Sequence, residues 1–108
     1  ARRASPALPA VELAGLSLER CEVLSLLEEW AECEIACNEA MREGAREATD
    51  KAHLLLWRAR ARAEGRADVE GALADLCEAS RHAQDTGEDS QAALEGEAQE
   101  VRARIEEL

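Results

Sequence analysis

Trp30-Ala31-Glu32-Cys33-Glu34-Ile35-Ala36-Cys37-Asn38-Glu39-Ala40 and Val69-Glu70-Gly71-Ala72-Leu73-Ala74-Asp75-Leu76-Cys77-Glu78-Ala79 place similar residues at the same offsets. Each opens on a large apolar residue and carries a small one three later (Cys33, Ala72). Each then has an apolar one at the seventh offset (Cys37, Leu76), followed by Glu and Ala (Glu39-Ala40, Glu78-Ala79). An acid, Glu29 or Asp68, precedes each. Apolar residues three and four apart share one face of an α-helix, so both stretches read as amphipathic helices. Recurrence of such a pattern at a fixed period is the signature of stacked helical units, and this one returns after 39 residues.

Outward from these stretches the chain reads as five helices. Residues 1–8 form an extended or disordered lead, and Pro9 suits a first helical turn, where its missing N–H would have no partner anyway. Val11, Leu16, Leu18, Cys21, Leu24 and Leu27 then follow helical spacing over about 10–28. The second helix, 30–43, carries Trp30, Cys33, Cys37, Ala40 and Met41 on one stripe, and Gly44 ends it. A third spans about 48–64, with Thr49 as its N-cap and Gly65 as its stop. Asp68 caps the fourth, 69–83, whose stripe is Val69, Ala72, Leu76 and Ala79. Residues 84–90 read as a turn. The last helix, about 90–107, presents Leu94, Ala98, Val101, Ile105 and Leu108 as a narrow seam on an otherwise charged surface. That distribution suits the terminal cap of a repeat stack. Residues 9–108 thus read as one domain, a hairpin at 9–43, a hairpin at 48–83 and a capping helix.

Composition agrees and narrows the function. The chain of 108 residues holds 23 alanines, no Phe and no Tyr, and its two prolines, Pro6 and Pro9, lie at the start. Ala, Leu, Glu and Arg are all strong helix formers, which makes the fold class all-α. A net charge of −11 argues against nucleic acid and against an anionic membrane surface. No apolar run approaches the roughly 20 residues of a membrane span. The opening ARRASPALPA, rich in Arg and Ser without acids, suits either the tail of an organelle transit sequence or a linker of a longer polypeptide. Both stay open, so the expected location is intracellular, in the cytosol or an organelle interior.

The paired stretches resemble the second helix of tetratricopeptide repeats. Val69, Ala72, Leu76 and Ala79 follow that pattern. Trp30, Cys33, Cys37 and Ala40 follow it with Cys in place of Ala and of an aromatic residue. Small residues let helices approach and large ones fill the gap between repeats. The first helices fit less well. Cys21 and Leu24 precede Trp30 where the family places a small and a large residue. In the second unit two registers compete: Leu54, Trp57 and Ala61, or Leu56, Ala59 and Ala63. The period exceeds the family's 34 residues, and its closing proline is missing. The resemblance covers roughly residues 15–83. It implies two degenerate repeats stacked as a short solenoid, with the first helix of each unit lining a concave groove, and a function in holding protein partners.

Candidate chemistry is sparse. Cys33 and Cys37 share a helix face, and the repeat register sets Cys21 against Cys33. A Cys21–Cys33 disulfide and a metal or redox role for Cys21, Cys33 and Cys37 are the alternatives to buried cysteines that pack as small hydrophobes. No cofactor and no bound metal are expected. His53 and His82 stand alone, and no nucleophile–base set or phosphate loop is present, so no enzymatic activity is expected. One charge anomaly stands out. In residues 51–66, Lys51, Arg58, Arg60, Arg62 and Arg66 face Glu64 alone. At ~100° per residue Lys51, Arg58 and Arg62 share a face. If that face lines the groove it would bind an acidic or carboxylate-bearing segment of another protein; otherwise the arginines pair with the acidic helices around them. The family's carboxylate clamp also uses asparagines, and Asn38, the one Asn, lies on the wrong helix. The chain therefore reads as an adaptor, scaffold or accessory subunit. Its partner surface is expected at the groove of the third helix or on the open side of the first hairpin.

Overall fold

Among the described residues five α-helices follow one another: α1 (Ala10–Leu26), α2 (Trp30–Glu43), α3 (Ala48–Arg66), α4 (Val69–Ala83) and α5 (Glu88–Glu107). This computed structural model describes the backbone of residues 10–44 and 47–108, and side chains from Leu18 onward within those limits. Among the described residues there is no strand, and the chain is all-α. The lead at 1–8, Pro9 and the side chains of Val11 and Leu16 lie outside that description.

The helix ends show where local chemistry decides and where packing overrides it. Gly44 closes α2 in the left-handed conformation, φ 109°, which glycine adopts without a Cβ penalty. Asp68 caps α4, its Oδ1 accepting the Gly71 N–H at 3.0 Å. Thr49 is no cap: α3 begins a residue earlier, after Glu47 in extended conformation, with no side-chain cap. Gly65 does not stop α3 either. The helix runs on to Arg66, and Ala67 takes the left-handed turn at φ 52°. Gly65 serves packing instead, since a Cβ there would lie 2.6 Å from the Cβ of Trp30. The acids Glu88 and Asp89 start α5 two residues ahead of its expected place, where they oppose the positive end of the helix dipole.

α3 is the axis of the molecule and packs against all four other helices. Its two competing registers are both core, on roughly opposite faces at ~100° per residue. Leu54 and Ala61, with the partly buried Trp57, pack on Cys21, Cys33, Ala36, Cys37 and Ala40 of the first hairpin. Leu55, Leu56, Ala59 and Ala63 pack on Ala72, Leu76, Ala79 and Ala83 of α4 and on Leu94 and Ile105 of α5. A helix enclosed on two sides needs two apolar faces, which is why one-register reasoning could not choose between them. The outer stripe residues fare less well. Val69 is only partly covered and Leu108 is 58% exposed, so the seam of α5 ends at Ile105.

Candidate functional site

Between its two apolar faces α3 has two polar edges, and they differ in kind. The first faces α2 and α4 and carries the predicted cations. Arg58 donates from Nε to Asp75 Oδ2 at 3.0 Å and from Nη2 to Oδ1 at 2.7 Å, a bidentate pair. Its Nη1 donates to Asn38 Oδ1 at 2.9 Å. Arg62 reaches the same Asp75 through Nη1 at 3.2 Å and Glu34 Oε2 through Nε at 2.9 Å. Arg66 closes the row on both oxygens of Glu34, at 3.1 and 2.8 Å. Asp75 is 3% exposed, so its charge is tolerated only because two guanidiniums solvate it. The Arg66 hydrogen bond, helped by Arg62, holds the Glu34 carboxyl below the usual carboxylate range against the opposing effect of burial. Hydrogen bonding to Asp75 likewise raises Arg58.

Of the two readings of the Lys51, Arg58 and Arg62 face, an open cationic row or pairing with the acidic helices around it, the geometry of the two arginines follows the second. The three do share a face of α3, but Arg58 and Arg62 are spent on Asp75, Asn38 and Glu34, tying α2 to α4 through α3. Lys51 makes no ion pair among the described residues. An acidic segment would have to displace internal carboxylates to reach the two arginines. Asn38, set aside for lying on the second helix, is part of the network because α2 is where the row points.

The second edge faces α1 and α5. Glu22, Ser25 and Leu26 of α1, Leu56, Trp57 and Arg60 of α3, and Glu97, Glu100 and Val101 of α5 enclose a groove of about 210 Å³. His53 stacks on Trp57 with ring centroids 5.5 Å apart and brings Nε2 within 3.9 Å of Glu97. Arg60 lies 5.2 Å over the Trp30 ring and donates to Glu64 at 3.0 Å. Arg104 donates to the other oxygen of Glu64, also at 3.0 Å. Burial pushes Glu64 upward, but the hydrogen bonds from Arg60 and Arg104 outweigh it and leave the carboxyl below its ordinary value. Both cations of this edge are thus paired, whereas Glu22 and Glu100 have no cationic partner among the described residues. Leu26, which lines the groove, is 76% exposed, and Val23 and Leu27, its near neighbours in sequence, are 51% and 64% exposed. Sequence reasoning expected a partner surface at the groove of the third helix but named only cations there, and so did not name these lining residues. The signal was Trp57, which at ~100° per residue lies between the Leu54–Ala61 core face and the side that carries His53, Arg60 and Glu64.

The cysteines form a third cluster. Cys21, Cys33 and Cys37 are free thiols with no exposed surface, and Cys77 is a free, exposed thiol. The Cys33 thiol donates to the Cys21 carbonyl at 3.7 Å. Hydrogen bonds with Cys21 and Cys33, together with burial, push the Cys37 thiol far up, so it stays protonated. Among the described residues no three His, Cys, Asp or Glu side chains are arranged to hold a metal ion, and no helix is long and apolar enough to cross a membrane. Compared with family models, with curated proteins and with solved structures, the chain finds no match.

Proposed function

We propose that this protein is a non-catalytic interaction module, an adaptor or accessory subunit. In this reading it is built as two degenerate tetratricopeptide-like units with α5 as cap. The observation that carries it is the groove over Trp57, where the exposed Leu26 of α1 joins a surface shared by α1, α3 and α5. Apolar groups left in water beside a polar rim mark surfaces that another molecule covers. The order of helix contacts supports the repeat reading: α1 and α3 each meet their hairpin partner, α3 meets both helices of the first hairpin, and the cap α5 meets both helices of the second. That is the neighbour-only packing of stacked hairpins.

The test is selection of displayed random peptides on the full chain, followed by amide-shift mapping of the winners. Peptides that move Leu26, Trp57 and Val101 support the module. Winners that map elsewhere, or no enrichment over an unrelated helical protein, refute it.

A further inference from the structure

We propose that the α1–α3–α5 groove takes a basic amphipathic helix. The inference rests on the interaction reading above and adds the partner's chemistry. The apolar part of the lining is Trp57 and Val101, with Leu56 buried beneath and Leu26 exposed at the edge, and the acidic part is Glu22 from α1 and Glu97 and Glu100 from α5. Arg60 does not offset those acids, because its guanidinium is engaged by Glu64 and by the face of Trp30. A helix with an apolar stripe flanked by Lys or Arg matches both features at once: the stripe covers the apolar part and the cations reach the acidic part. An acidic peptide would meet Glu22 and Glu100 with no free cation to answer it. A second copy of this chain, at net charge −11, is disfavoured for the same reason.

The experiment titrates the full chain at low salt with a 14-residue peptide of Leu and Lys only, Leu on one helical face, and with its counterpart bearing Glu for Lys. Amide and Trp57 indole shifts report the site. The Lys peptide is expected to shift Leu26, Trp57 and Val101. The triple reversal Glu22→Lys, Glu97→Lys, Glu100→Lys should weaken it by about tenfold or more. The control reversal Glu70→Lys, Glu78→Lys, Glu106→Lys, all exposed positions outside the groove, should leave the groove shifts in place. Binding of the Glu peptide at the groove, or equal losses in both triple variants, overturns the inference but leaves the interaction module standing. If neither peptide moves the groove while selected peptides do, the helical basic partner is wrong. If nothing moves it at all, both readings fall.

Discussion

The two polar edges of α3 carry similar residues and do opposite things. Toward α2 and α4 the arginines meet a buried carboxylate and a half-buried one, and every Nε of that row donates to an acid. Toward α1 and α5 the cations are few and paired, the acids are in excess, and apolar side chains remain in water. A charge run on a helix therefore has no meaning until the neighbours on its side are known. The same kind of side chain ties helices together on one edge, and on the other leaves an acidic rim.

The sharpest way to break this contrast is Asp75→Ala. Loss of the carboxylate leaves Arg58, 18% exposed, with Asn38 alone and takes from Arg62, 21% exposed, one of its two acids; removing one partner of such a buried charge pair costs about 3 kcal/mol. Urea denaturation should show that loss, whereas Glu22→Lys on the other edge should change stability by no more than ~0.5 kcal/mol. Gly65→Ala comes next. Its Cβ would press on the Cβ of Trp30, an atom close to the backbone and hard to move, so a loss of about 2 kcal/mol is expected by the same method. Ala67→Gly acts in the opposite sense, relieving a left-handed alanine for a gain of about 0.5 kcal/mol, read as a higher urea midpoint.

Acid titration gives the smallest effect. The folded carboxyl of Glu34 lies below its unfolded value of roughly 4.3. Its contribution is therefore present above that pH and is lost as pH falls through the folded value. Glu34→Gln should be less stable than the parent at pH 6 and lose less on acidification below about pH 4. Equal slopes for the two proteins would remove Glu34 from the account.

Much of the fold was legible because helix periodicity and caps are local. The paired stretches, Gly44 and Asp68 fixed α2 and α4 closely. What local rules could not supply was the company each residue keeps. Gly65 looked like a stop, but its role is contact with Trp30, 35 positions away. The registers of α3 competed because the helix is enclosed on two sides. The candidate site suffered most. A shared helix face for Lys51, Arg58 and Arg62 follows from spacing, but which side that face looks toward depends on Asp75 and Glu34, contributed by two other helices. The groove draws on three helices at Leu26, Trp57 and Val101, and no spacing rule within one helix joins them.

The central claim is that the cation row of α3 is internal structure. It is tested most directly by Nε–H spectra of the arginines in the intact protein, with and without an excess of a decamer of glutamate. The account predicts separate, slowly exchanging Nε–H signals for Arg58 and Arg62 that do not move when the acidic peptide is added. Signals merged with those of solvent-exposed arginines, or displaced by the peptide, would contradict it.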